Sequence, residues 1–352
     1  MKKVRIAVML LVILFPLPSL NGCTLISGDK QAYIYERPTI GLTVKDEITT
    51  DIEIGKQSSL SLAAGYGVIR ITPYDGDKLQ VIEKRKFTGP SSKRVLKAIL
   101  DENKLNIEKE SMEVNLYYPP EEKQKPLFSL IIDIELRVPD TVKTLEITLK
   151  GGGIQAEGLK GMDSLDLKVD KGNIDVDYCE GNRITAAISN GNLDVDSSSG
   201  IGSYKCGRGN IKLQKTKGNI DLKSVAGNTL IEEVEGRLEC DVSAGDLTVG
   251  KSRISKDSTL YASCGDIKVD FNNLDLEGKF TVKASKGTIK LKLPETTGWS
   301  LLARSTKGKI SKNLELEEGV LKTAPSGEVY GDVHGGGPLI DAYVDMGNIV
   351  LN

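Results

Sequence analysis

Apolar residues recur in short alternating triplets along most of this chain, and from Gly172 to Val269 the alternation locks onto a glycine. The stretch reads Gly172-Asn-Ile-Asp-Val176, Gly191-Asn-Leu-Asp-Val195, Gly209-Asn-Ile-Lys-Leu213, Gly218-Asn-Ile-Asp-Leu222, Gly245-Asp-Leu-Thr-Val249 and Gly265-Asp-Ile-Lys-Val269. In an extended segment alternate side chains share a face. Each motif therefore predicts a short strand, with Ile174 and Val176 turned inward and Asp175 and Asp177 outward. The glycine permits a positive φ at the corner. The Asn or Asp after it can bond to turn backbone, or to its counterpart in a stacked strand.

Two interleaved rows of glycine set the period. The first runs Gly172, Gly191, Gly209, Gly227, Gly245, Gly265, Gly287 and Gly308, in steps of 19, 18, 18, 18, 20, 22 and 21. The second, Gly181, Gly200, Gly218 and Gly236, follows its partners by nine residues. The spacing predicts a coil made of two half-turns, each with one strand and one turn. A lone strand of this length cannot bury its inner face. Coils stacked about 4.8 Å apart let each strand pair with the one above and the one below. The expected fold is thus all-β, a parallel β-solenoid of the β-helix kind over residues 151–352, with about 18–22 residues per coil. The eight coils of the first row would span about 40 Å.

Upstream, residues 51–150 alternate less regularly, at Ile52-x-Ile54, Leu60-x-Leu62, Val68 to Ile71, Leu79-x-Val81, Leu105-x-Ile107, Val114-x-Leu116 and Leu130 to Val138. One helix is expected at 92–102, capped by Ser91 or Ser92 after Pro90, with Val95, Leu96, Ile99 and Leu100 on one side. An open solenoid end exposes unpaired strand edges. This region is therefore expected to form an N-terminal β cap with one short helix, together with the first coils. Residues 23–50 read as a tether and first strand. Residues 1–22 read as an export signal: Lys2, Lys3 and Arg5 precede the apolar run Ile6 to Phe15, which is too short to span a bilayer comfortably.

Composition narrows the function classes. Lys and Arg number 47 against 49 Asp and Glu, without the basic excess of a nucleic-acid binder. With 37 Gly and only 5% aromatic residues, many tight turns and stacked strands fit better than a thick core of large rings. Of the five Cys, Cys23 borders the export signal. The other four, Cys179, Cys206, Cys240 and Cys264, allow three pairings that sequence does not choose between. Cys206, Cys240 and Cys264 are in phase with the inward Tyr204, Leu238 and Ala262, which argues for buried thiols. No Cys-x-x-Cys occurs, and the single His, His334, cannot complete a metal cluster.

Two resemblances add to this reading. Leu20-Asn21-Gly22-Cys23 resembles the bacterial lipoprotein lipobox, although Asn21 is uncommon at its position. The resemblance implies cleavage before Cys23, lipidation of its thiol, and anchorage of the exported chain by two or three acyl chains. Thr24 supplies no Asp retention signal, which in a Gram-negative cell implies the outer membrane. Further on, Ile134-Glu-Leu-Arg-Val138-Pro139, Leu145-x-Ile147, Gly151-Gly-Gly-Ile154, the recurring Gly-Asn/Asp-Ile/Leu and the final Gly347-Asn348-Ile349 are similar to an adhesin-type β-strand repeat family. That family is a bacterial domain of unknown function. The resemblance covers about residues 50–352 and implies a β-solenoid exposed in the cell envelope, with no catalytic residues to carry over.

The candidate chemistry lies on the outward row. In-register stacking would set Asp175 over Asp194 and Asp177 over Asp196, a candidate Ca²⁺ patch whose plainer reading is a solvated acidic face. The Gly-Gly-x-Gly-x-Asp pattern of calcium-binding β-rolls is absent. Later in the row stand Lys268, Lys290 and Lys292, so the rod is expected to be acidic near the anchor and basic farther out. Neither His334, in a Gly-rich loop, nor Trp299, the only Trp, completes a catalytic or sugar-stacking arrangement. No enzyme, cofactor or nucleic-acid partner is expected. The expected role is a non-enzymatic, lipid-anchored envelope protein that binds an envelope protein or cell-wall polymer. An accessory or sensor role in envelope-stress signalling and a carbohydrate-active β-helix enzyme are the alternatives.

Overall fold

A computed structural model describes residues 41–118, 128–255, 257–271, 278–314 and 320–352. The export signal, Cys23 and the first part of the tether lie outside the described residues. The fold is the expected all-β parallel solenoid. Ile174 pairs in register with Leu193, Leu193 with Ile211, Ile211 with Thr229, Thr229 with Leu247, Leu247 with Ile267, and Ile267 with Ile289. These partners reproduce the glycine steps. The inward residues merge into one apolar core that runs from Ile52 to Leu351.

Each coil has three sides rather than two equal halves. In one, the long strand Ile220–Ala226 meets a corner at Gly227 and continues as the short strand Thr229–Glu232. The chain then bends at Glu233, a non-glycine residue at φ 54°, into the brief strand Glu235–Gly236. That third side pairs with Arg253–Ile254. The left-handed bend recurs at Tyr178, Ser197, Lys215, Glu233 and Lys251. Their varied side chains hid the bend from a search for glycine. Each bend is followed by a small buried residue: Cys179, Ser198, Thr216, Val234 and Ser252. The Ser198 hydroxyl accepts from the Cys179 amide at 3.3 Å, and the Ser252 hydroxyl from the Val234 amide at 3.2 Å. Cys179 is therefore one member of a structural column.

The corner glycines are required by a close approach as well as by φ. At Gly191, with φ 138°, an added Cβ would lie 1.5 Å from the carbonyl oxygen of Gly172 in the coil beneath. The Asn that follows each corner bonds from coil to coil. The Oδ1 of Asn173 accepts from the Asn192 amide at 3.1 Å, that of Asn192 from Asn210 at 3.0 Å, and that of Asn210 from Asn228 at 3.0 Å. Asp246 and Asp266 extend the same ladder to the amide of Thr288.

Both ends depart from sequential stacking. Ser59–Tyr74 pairs in parallel with Thr144–Glu157 on one side, and with Glu113–Tyr117 and Ser129–Pro139 on the other. The cap is completed by Lys78–Gly89, antiparallel to Ser129–Pro139, and by Leu42–Glu53 at the outer edge. The helix forms at Lys93–Glu102, with the Ser92 hydroxyl accepting from the Val95 amide. Leu96 and Leu100 are buried against Phe87, while Val95 faces solvent, so the apolar stripe is narrower than expected. At the other end the expected step from Gly287 to Gly308 is not a single coil. Leu339–Met346 lies between Lys279–Lys286 and Trp299–Lys307, parallel to both. The stacking order of the glycines is Gly287, Gly347, Gly308. A short antiparallel strand, Val329–Val333, covers the outer edge of Trp299–Lys307.

Asp341 ties the inserted strand to both of its neighbours. It is 5% exposed on the inserted strand, and its two oxygens receive Arg304 at 2.6 Å and Lys279 at 2.8 Å, one from each flanking strand. Burial alone would raise this carboxyl, but the hydrogen bonds from Lys279 and Arg304 outweigh it and hold the group below its usual 3.8. A one-dimensional repeat count carries no such information, because a carboxylate chooses its cations by position in space.

Candidate functional site

The solenoid presents its chemistry on outward columns that run from coil to coil. On the short side, Asp175 stacks in register on Asp194 and Asp177 on Asp196, as the motif spacing predicts. Ile174 and Leu193 are fully buried, but the four carboxylates are half-buried rather than exposed. Coils about 4.8 Å apart shade one another's side-chain flanks. The Asp177 carboxyl is raised above its usual value by burial, and then by the nearby charges of Asp194, Asp196 and Glu157. Lys212 in the next coil approaches Asp194 at 3.9 Å, and the Ser197 hydroxyl donates to Asp196 at 2.8 Å. Among the described residues no three His, Cys, Asp or Glu converge to hold a metal ion. The patch is a stacked acidic face.

The basic end expected on this row is partly neutralised. Lys290 stands 4.0 Å from Asp266, and Lys292 3.4 Å from Asp270. Asp270 answers Lys292 from the same column one coil earlier, whereas Asp266 answers Lys290 from the corner position.

Trp299 is fully buried, and its indole nitrogen donates to the Pro294 carbonyl at 2.9 Å, so it is a core residue and no sugar platform. His334 is exposed at a left-handed bend, with Nε2 2.8 Å from the Glu295 carbonyl oxygen. It closes the loop that returns the chain to the inserted strand. Cys179 and Cys206 are free and buried, and burial pushes both thiols up to about 11. Cys240 is free and buried too, and burial likewise pushes its thiol up, whereas Cys264, expected as a buried thiol, is half-buried and not a free thiol. Thiols in this state carry little thiolate at neutral pH and make poor nucleophiles.

The long side holds residues that the motif reading passed over. Counted backward, the position four residues before each corner glycine faces outward and carries Lys168, Ala187, Lys205 and Lys223 in successive coils. Lys168 is engaged by Glu146 and Asp166, each at 2.9 Å. Lys205 and Lys223 are exposed and stacked in register, with no ion-pair partner among the described residues. A depression of about 410 Å³ opens beside them, lined in part by Lys168, Asp170, Ala187, Ser189 and Lys205.

The family model described as Toastrack DUF4097 matches residues 69–331, well over half of the chain. No curated protein matches. Several solved structures are similar over most of their length. A candidate adhesin from Bacteroides fragilis NCTC 9343 shares 14% identity, with 87% of this chain and 97% of that chain covered, at a TM-score of 0.32. A structure described as a candidate lipid binding protein from Parabacteroides distasonis ATCC 8503 shares 13% identity, over 87% and 97%, at 0.30. A candidate cell adhesion protein from Clostridium sporogenes ATCC 15579 shares 11% identity, over 88% and 99%, at 0.22. On the match of its repeat region to the family model, the chain belongs to the Toastrack DUF4097 family, a domain of unknown function.

Proposed function

We propose that this protein is a non-enzymatic, lipid-anchored protein of the bacterial cell envelope. Its solenoid faces serve adhesion, by binding an envelope protein or a cell-wall polymer. The observation that carries this reading is the form of the outward surface. Flat columns of charged and polar side chains repeat at each coil, and the depression beside Lys205 lies open on one of those faces rather than as an enclosed cleft. Such a surface suits contact with an extended partner better than enclosure of a small substrate.

The anchor rests on Leu20-Asn21-Gly22-Cys23. Fractionation tests it: the native chain should sediment with membranes, and Cys23→Ser should move it to the soluble fraction. Cross-linked envelopes captured with the folded domain test the binding role. Retained cell-wall polymer supports adhesion, whereas a single specific membrane protein redirects the reading to an accessory role in envelope-stress signalling. Release of reducing sugar from envelope glycans would overturn the non-enzymatic reading.

A further inference from the structure

The depression on the long side has a simple origin. The strand Glu180–Asp196 turns Ala187 and Ser189 outward, whereas the coil beneath turns out Lys168 and Asp170, and the coil above Lys205 and Gly207. Small side chains between longer ones leave a trough, with lysine walls roughly 10 Å apart at two coil spacings. One wall is fixed, since Lys168 is held by Glu146 and Asp166.

The other wall is free. Lys205 lines it and stacks directly on Lys223 of the next coil, both exposed and without an ion-pair partner among the described residues, with Asp241 in register on the far side of Lys223. Like charges placed directly opposite across a ladder are destabilising. On the short side Lys212, Lys290 and Lys292 are met by Asp194, Asp266 and Asp270, while Lys268 stacks in register on Lys290. The floor supplies the Ser189 hydroxyl, and Asp170 on the fixed wall supplies a carboxylate acceptor. An anion without hydroxyl groups would use the cations and be repelled by Asp170. A saccharide unit bearing a carboxylate or phosphate uses both: its anion meets Lys205 and the Lys223 stacked on it, and its hydroxyls donate to Asp170 and Ser189.

We propose that this trough binds an acidic glycan through its anionic sugar units. The proposal rests on the surface-binding reading above and specifies its ligand class and face.

The test is calorimetric titration of the folded domain with a polygalacturonate oligosaccharide, a poly(glycerol phosphate) and neutral dextran as probes. Binding of either acidic probe and not of dextran is expected, and it should weaken as salt screens the exposed cations. Preference between the two acidic probes tells carboxylate from phosphate. The double reversal Lys205→Glu with Lys223→Glu should weaken binding about tenfold or more, while Lys268→Glu leaves it unchanged. Asp170→Asn should weaken the sugar-bearing probes without strengthening binding of inorganic phosphate. Unchanged melting temperatures keep the reversals interpretable as surface effects. The proposal is overturned if neither acidic probe binds, or if Lys268→Glu costs as much as the double reversal. Envelope polymer still captured by the reversed protein would reject this trough while leaving the surface-binding reading standing. Loss of all envelope capture by the native protein would remove both.

Discussion

Between Gly172 and Gly287 every coil lies on the one before it in sequence, held by an Asn and Asp ladder, a glycine column and a continuous aliphatic core. At the two ends the closing strands come from elsewhere in the chain, and buried or half-buried ions hold them. Arg85, 2% exposed, donates to both oxygens of Asp46 at 2.8 and 2.6 Å. It also donates to the carbonyls of Leu100 and Asn103, tying the cap helix to the strand Lys78–Gly89. Asp341 does the corresponding work at the far end. Identical coils stack equally well in many registers, so repetition gives stability without a unique stopping point. A charge pair costs desolvation, but it discriminates among partners. The middle is specified by period and the ends by individual pairs.

The largest expected effect strikes the ends. Arg85→Ala leaves Asp46 and two helix-end carbonyls without their buried donor, and should cost about 3–5 kcal/mol. Chemical denaturation measures it, and a loss under about 1 kcal/mol would mean that the cap does not depend on this pair. In the middle, Gly209→Ala places a Cβ 1.8 Å from the Gly191 carbonyl oxygen at φ 133°, and should cost about 3 kcal/mol. Gly250→Ala is the control, because nothing lies within 4 Å of its Cβ position. Equal costs at the two glycines would break the argument from close approach.

The smallest effects separate the two kinds of carboxylate by pH. Asp341, held below 3.8, contributes stability that is present above that value and lost as pH falls through its lowered titration. Asp341→Asn should cost about 2–3 kcal/mol at neutral pH, discounted from a fully buried pair because Lys279 and Arg304 are partly exposed, and the gap should close in acid. Asp177 is raised instead, so its favourable contribution exists only below 3.8 and is lost as pH rises through its raised titration. Asp177→Asn should therefore stabilise at neutral pH by about 0.5 kcal/mol, with the gain vanishing in acid. Melting curves across pH should show the two variants diverging from the native protein in opposite directions.

Much of the architecture was legible because a strand period of two and a coil period near 18 residues are both one-dimensional signals. Ile174, Leu193, Asp175 and Asp194 were placed on the correct sides for that reason. The third side of the coil escaped, because its bend accepts Tyr178, Lys215 or Glu233 and leaves no common residue to find. The pair Lys205 and Lys223 was readable by counting five residues forward from Gly200 and Gly218 of the second row, or four backward from the first row.

The sequence by itself determined most of the coil: which residues face the core, where the glycine corners fall, and that strands stack in parallel. These follow from local backbone freedom and the burial of alternate side chains. Only the tertiary structure decided the order of coils at the ends, the insertion of Leu339–Met346 between Lys279–Lys286 and Trp299–Lys307, and which charges are answered and which stand open. Those outcomes depend on distances between residues far apart in the chain, such as Asp341 and Lys279, and electrostatic pairing is set by distance in space rather than by separation in sequence.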